Sequence, residues 1–142
     1  MKLYALTNMY CEGKHAGIQC QHSTVELLRK YENDTCSVGE LDGMVTDWAD
    51  NHKTTILVQG GNHQGMLEWL ADLEHWDKVP YAEFYEPGMN YCLSSISLVC
   101  STEMVDDMSD YRNRVIDDLD MFNKYGSTGS EILKRIALSR TV

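Results

Sequence analysis

Apolar and polar residues alternate in several short stretches of the chain, and this alternation predicts β-strands. The clearest stretch is Thr54-Thr55-Ile56-Leu57-Val58-Gln59, because β-branched residues favour extended backbone. In the last stretch two serines alternate with Ile96 and Leu98, which predicts a strand that is only half-buried in the sheet. The predicted strands cover residues 2–9, 54–59, 81–85 and 93–100.

A helix is expected directly after the turn at Cys11-Glu12-Gly13. A wheel of about 100° per residue divides this helix into two faces. One face carries small and apolar residues, namely Ala16, Gly17, Cys20, Thr24, Leu27, Leu28 and Tyr31. The other face is polar and carries His15, Gln19, His22, Glu26 and Arg29.

The remaining elements complete an alternating order. Residues 33–43 are expected to form a loop and residues 41–49 a short helix. Gly60-Gly61 is expected to end the second strand, and Asn62 to cap the next helix. Two helical segments, 103–125 and 130–139, follow the last strand. The order β-α-α-β-α-β-β-α-α predicts an α/β fold, a four-stranded mixed β-sheet covered by helices with an extra C-terminal helical segment.

Composition adds that this is an ordinary globular domain. The chain has 142 residues, 43% of them hydrophobic and 24% charged. No stretch approaches the roughly 18 apolar residues of a membrane span, and no signal peptide is evident, so we expect a cytoplasmic protein. Five irregularly spaced cysteines favour a reducing compartment. Since the chain lacks a Cys-x-x-Cys pair and a His-Glu-x-x-His motif, we expect neither a metal nor a cofactor.

The net charge of −10 is concentrated in the middle of the chain. Residues 1–31 and 121–142 each carry more basic than acidic side chains, whereas residues 32–120 carry four basic and nineteen acidic ones. An acidic surface repels phosphate groups. Any contact with a nucleic acid would therefore use the terminal segments and would weaken steeply with salt.

The stretch after the first strand carries Gly13-Lys14, Ala16-Gly17, Gln19-Cys20 and Gln21-His22, in that order. This order resembles the peptidyl-tRNA hydrolases of the second, archaeal and eukaryotic type, and particularly their compact relatives in phages and bacteria. In that family the first strand is followed by Gly-Lys and by a helix that opens with small residues and then carries Gln and His.

A second motif lies at the distance that the family requires. Glu86-Pro87 is similar to the turn between the family's last two strands, and Ser94 stands where the best-known members have a threonine. Those members carry an aspartate in the turn, whereas compact relatives often have Glu-Pro. The resemblance covers residues 2–101. We therefore expect a peptidyl-tRNA hydrolase-like core at residues 1–101 and a helical extension at residues 102–142, packed on the same domain.

The resemblance implies hydrolysis of the ester that joins a peptide to the terminal ribose of tRNA, by an activated water and without a metal. It also implies which residues line the site. The residues with implied catalytic roles are Lys14, His22, Glu86 and Ser94, and those implied to bind substrate are Gly13, Gln19 and Asn90.

The residue types are consistent with these roles, although each also suits an ordinary surface position. An imidazole titrates near neutrality, so His22 is the best base by residue type, and Glu26 one helical turn later could orient it. Lys14 and the first helical N–H groups could hold a phosphate or an oxyanion. Glu86 could pair with Lys14 or replace His22 as the base. No nucleophile motif surrounds Ser94, so we expect no covalent intermediate.

A competing interpretation comes from a different functional class. A non-catalytic binding or regulatory module could keep the same fold and engage a protein partner through its acidic surface or through residues 102–142. Because the resembling family is often dimeric, a homodimer is also an expectation.

Overall fold

In residues 1–32 and 40–142, the part of the chain that the computed structural model describes, four strands alternate with five α-helices. A short π-helical turn (Trp48–His52) and a 3₁₀ turn (Pro87–Met89) complete the elements. The strands are β1 (Lys2–Asn8), β2 (Thr55–Gly61), β3 (Tyr81–Glu86) and β4 (Cys92–Cys100). The helices are α1 (Lys14–Lys30), α2 (Glu40–Asp47), α3 (His63–Trp76), α4 (Thr102–Arg112) and α5 (Asp118–Leu138).

The strands form one mixed sheet in the order β2-β1-β4-β3. β1 pairs with β2 in parallel, whereas β4 is antiparallel to both β1 and β3. The predicted α/β fold with a four-stranded mixed sheet covered by helices is thus confirmed. Since β4 alone runs in the opposite direction, its first residues lie at the same end of the sheet as the carboxyl ends of the other strands. Ligand sites of open α/β sheets usually lie at this end.

Helices cover both faces of the sheet. α1 and α2 pack on one face, around a cluster that includes Leu3, Leu27 and Val99. α3, α4 and α5 pack on the other face, around a larger cluster that includes Leu6 and Ile96. β4 is therefore buried on both faces. The prediction of a half-buried final strand was wrong because helices cover the sheet on the side of the serines as well.

The wheel assigned some α1 residues to the wrong face. Gln19, expected on the polar face, is buried, whereas Gly17 and Leu28, expected on the apolar face, are exposed. Ser23, which was assigned to neither face, is buried as well. α1 packs against serine side chains of β4, so the buried face of the helix is partly polar. A wheel that equates burial with hydrophobicity cannot detect such a face.

The second strand extends beyond its predicted end. β2 continues through Gly60 and Gly61, and its pairing with β1 shifts by one residue there. A Cβ at Gly60 would lie 2.4 Å from Met66 Sδ and 3.1 Å from the carbonyl oxygen of Thr7, so a glycine allows this close approach. The predicted cap of α3 is confirmed, because Asn62 Oδ1 accepts a hydrogen bond from the Gly65 N–H at 2.8 Å.

The C-terminal helices are interrupted at a point where the sequence predicted a continuous helix. The predicted segment 103–125 is split at residues 113–117, and Asp117 caps α5 through a reciprocal pair of hydrogen bonds with Asp120. The predicted break at residues 126–129 is reduced to a kink at Gly126, whose φ is 76°. The predicted loop at 33–43 lies largely outside the described residues, and its last residues belong to α2.

α4 and α5 contribute to the larger core cluster. Met108, Met121 and Ile132 are buried there beside Trp69 and Trp76 of α3. Trp48 is buried as well, in the cluster on the other face of the sheet. None of the helices in the described part of the chain combines the length and hydrophobicity that a membrane span requires.

Replacing Gly129 by alanine is expected to destabilise the fold. A Cβ at this position would lie 2.4 Å from Nε1 and 2.5 Å from Cε2 of the buried Trp76 indole. α5 would have to move away from α3, so we expect the free energy of unfolding to fall by about 1–3 kcal/mol in urea titrations.

Gly17→Ala is the matched control, because it adds the same methyl group to an open helix surface. It is expected to raise the free energy of unfolding by about 0.5–1 kcal/mol. A Gly129→Ala protein as stable as wild type would contradict the packing of α5 on Trp76.

Candidate active site

A β-bulge near the beginning of β4 changes the direction of the Ser94 side chain. Phe84 of β3 pairs with Ser95, but the next residue, Tyr85, pairs with Leu93, so Ser94 is the extra residue. A bulge re-aims the side chain that it carries. Strict alternation from Ser95 would turn Ser94 toward α3, whereas its hydroxyl group contacts Gln19 of α1. The bulge thus brings two consecutive serines to the same helix.

Buried hydroxyl groups join α1 to β4. Ser23 Oγ lies 2.8 Å from Ser95 Oγ, 2.7 Å from Ser97 Oγ and 3.2 Å from the carbonyl oxygen of Cys20. Thr24 Oγ1 lies 3.1 Å from Ser97 Oγ. Ser23 can donate to Cys20 while it accepts from both serines of β4, so one consistent set of donors satisfies the group. These contacts fix the rotation of α1 on the sheet.

Gln19 is the centre of the candidate site and is only 2% exposed. Its Oε1 accepts a hydrogen bond from Ser94 Oγ at 2.7 Å, and its Nε2 donates to Glu86 Oε2 at 2.9 Å. Nε2 also lies 3.2 Å from His15 Nε2, which must accept because the amide nitrogen has only protons to offer. All polar atoms of Gln19 are therefore used, so its role is to position Glu86 and it does not face open solvent.

Glu86 ends β3, where the following 3₁₀ turn holds its carboxylate. Oε1 accepts a hydrogen bond from the Gly88 N–H at 3.1 Å while Oε2 accepts from Gln19. The hydrogen bond from Gln19, and then that from Gly88, hold the pKa of Glu86 below its ordinary value, and the neighbouring His22 acts in the same direction. Glu86 is thus a persistently ionised carboxylate and a poor proton acceptor.

His22 lies beside this carboxylate. Its Nδ1 is 3.5 Å from Glu86 Oε2, and its ring packs on Phe84 with 4.7 Å between ring centroids. At 3.5 Å the contact is an electrostatic one and too long for a hydrogen bond, which leaves Nδ1 buried without a hydrogen-bond partner. The His22 side chain is nevertheless 39% exposed, so the rest of the ring reaches solvent. A small rotation of the ring would join Nδ1–H to Glu86.

The structure changes the expected partner of His22. Glu26, which the sequence reading placed one turn away as an orienting group, is exposed, and the carboxylate that faces His22 belongs to Glu86. The resemblance did not select His15, yet His15 contacts Gln19. Its spacing of four residues from Gln19 is the helical spacing at which side chains meet, and this signal was available in the sequence.

The other predicted site residues lie around this cluster. Lys14 is exposed at the first position of α1, and the described residues show no ion pair between it and Glu86. Gly13 and Asn90 are also exposed, and both have positive φ angles, 53° and 57°. The structure therefore brings together Gln19, His22, Glu86 and Ser94, and it leaves Lys14, Gly13 and Asn90 on the rim.

This arrangement is suited to proton transfer next to a fixed negative charge. Ser94 is fully buried, and its single proton is shared between Gln19 Oε1 and the carbonyl oxygen of Phe84, 3.1 Å away. It is therefore a positioning group and not an exposed nucleophile. Within residues 1–32 and 40–142, no three His, Cys, Asp or Glu side chains form a group that could hold a metal ion.

Comparison of the sequence with protein-family models and with curated proteins finds no significant match to either.

Gln19→Leu is expected to raise the pKa of Glu86 toward the ordinary glutamate value. The substitution removes the hydrogen bond that contributes most to stabilising the ionised carboxylate. Wild-type stability should fall as the pH drops through the lowered pKa, since the unfolded chain binds the proton first; this loss should be smaller in Gln19→Leu. ¹³C NMR of the Glu86 carboxyl group measures the shift.

Gln21→Leu is the matched control, since Gln21 is an exposed glutamine on the same helix. It should leave the Glu86 titration unchanged. Identical Glu86 titrations in wild type and Gln19→Leu would show that the hydrogen bond from Gln19 does not stabilise the carboxylate.

Proposed function

We propose that this protein hydrolyses the ester bond between a peptide and the terminal ribose of tRNA, with an activated water and without a covalent intermediate. The observation that carries the proposal is the continuous array from Ser94 through Gln19 to Glu86 and His22. Ester hydrolysis needs a positioned base and a route to solvent. The array supports both, because its buried part is fully hydrogen-bonded and because His22, packed on Phe84 beside the carboxylate, is partly exposed.

His22 is the base in this proposal. When Nδ1–H donates to Glu86, the other ring nitrogen carries a free lone pair on the exposed side of the ring. It removes a proton from water as the water oxygen bonds to the ester carbonyl carbon. The bond from that carbon to the ribose oxygen then breaks, and His22 returns the proton to the ribose oxygen. Glu86 remains ionised and stabilises the imidazolium ion between these steps.

The rim supplies positive charge for the substrate. Lys14 is exposed at the amino end of α1, where the N-cap Gly13 offers no side chain to the first N–H groups. The amino end of a helix and an ammonium group both favour phosphate oxygens or a developing oxyanion. Because the net charge of −10 opposes tRNA binding, we expect activity to be highest at low salt.

The proposal is tested by incubating the purified protein with an N-acylated aminoacyl-tRNA at low salt and measuring the release of free tRNA. His22→Ala should lower the rate by about 10²–10⁴-fold, the usual contribution of a general base. Glu86→Gln should lower it as well, because the amide cannot stabilise the imidazolium ion.

His75→Ala is the control, because His75 is an exposed histidine in the last turn of α3. It should retain the wild-type rate. A wild-type protein that releases no tRNA, or a His22→Ala protein as fast as wild type, would overturn the proposal and favour the alternative of a non-catalytic binding module.

A further inference from the structure

A cavity lies on the opposite face of the sheet from α1. It has a volume of about 440 Å³, which is within the usual range for small-molecule sites. Its floor is formed by Tyr4 of β1 and by Ile56 and Val58 of β2. Its roof is formed by the last residues of α5 from Ile136 onward and by Ser139, which follows the helix. β1 contributes Lys2 and Tyr4, from its first half, to the lining of this cavity. The cavity is therefore separate from the candidate active site, which lies near the other end of β1.

The cavity combines an apolar interior with two cations. Lys2 and Arg112 both line it, and none of its lining residues is acidic. In residues 1–32 and 40–142 neither cation takes part in an ion pair, although acidic side chains outnumber basic ones 22 to 12 in the chain. Unpaired cations that share one cavity in so acidic a protein favour an anionic ligand.

Arg112 is held in place by the protein. Its Nε donates a hydrogen bond to the carbonyl oxygen of Ala137 at 2.9 Å, near the end of α5. A guanidinium group has five N–H donors, so four remain for a ligand. The fixed Nε reduces the side-chain entropy that binding would otherwise cost.

Tyr4 adds a neutral donor on the cavity floor. The residue is 6% exposed and lines the cavity. Burial, and to a smaller extent Cys100, raise the pKa of Tyr4 to about 12, while the charge of Arg112 opposes them. The phenol is therefore protonated at neutral pH and can donate to an anion.

We propose that this cavity binds a small amphipathic anion, an aliphatic group that ends in a carboxylate or a phosphate. The anionic head lies between Lys2 and Arg112, within reach of Tyr4, and the aliphatic part lies on Ile56 and Ile136. This inference does not depend on the proposed function, because no residue of the candidate active site lines the cavity.

The experiment titrates the 142-residue protein, ¹³C-labelled at isoleucine methyl groups, with octanoate and octyl phosphate. The methyl signals of Ile56 and Ile136 should shift and saturate, whereas that of Ile18 on α1 should not. Neutral octanol and inorganic phosphate should each bind at least about tenfold more weakly. Octanol lacks the anionic head group, and inorganic phosphate lacks the aliphatic chain. The tighter of the two octyl anions identifies the preferred head group.

Arg112→Gln should weaken octanoate binding by about tenfold or more. Arg114→Gln makes the same charge change at an exposed arginine that does not line the cavity, and it should bind like wild type. Lys2→Gln should also weaken binding, and it leaves the bond between Arg112 and Ala137 intact. Absence of saturable shifts at Ile56 and Ile136, equal binding of octanol, or equal effects of the two arginine variants would overturn the proposal.

Discussion

The hydrogen-bonded contact between α1 and β4 determines the arrangement of the candidate site. Ser23 meets Ser95 and Ser97 with buried hydroxyl groups, where most helices would pack apolar side chains on a sheet. Hydrogen bonds are directional, and a buried hydroxyl group without a partner costs about 1–3 kcal/mol. The rotation of α1 about its axis is therefore tightly constrained. That rotation turns Gln19 toward the sheet and places it where Ser94 and Glu86 can reach it.

The character of this interface changes along β4. Near Val99 and Leu27 it is apolar, in the middle it consists of hydroxyl groups, and at the edge it ends in an amide, a carboxylate and two imidazoles. The β-bulge at Ser94 turns one more polar side chain toward α1, and this allows Ser94 to contact the Gln19 amide. Gln19 and the serines of this interface are buried, whereas His15, His22 and Glu86 at its end are partly exposed.

Local patterns in the sequence predict much of the fold. The β-branched run of β2 and the Asn62 cap of α3 act through neighbouring residues, so single-chain patterns reveal them. The burial of Gln19 depends on its contact with Ser94, 75 positions along the chain, and the bulge at Ser94 depends on how β4 pairs with β3. No pattern within a single element encodes either feature. His15 and Gln19 stand at helical spacing, so this contact could have been found. The resemblance to peptidyl-tRNA hydrolases had already selected Gln19, His22, Glu86 and Ser94, which do meet, but it also selected Lys14, which stays on the rim.

Glu86 and His22 are proposed to act as one unit in ester hydrolysis, and a double-mutant cycle on the rate of tRNA release tests this most directly. The cycle compares wild type, His22→Ala, Glu86→Gln and the double variant on the same N-acylated aminoacyl-tRNA. If the pair acts as a unit, the double variant should be no slower than the slower single variant, because removing either group already abolishes the shared function. Rate losses that multiply in the double variant would contradict the claim, as would a wild-type protein that releases no tRNA.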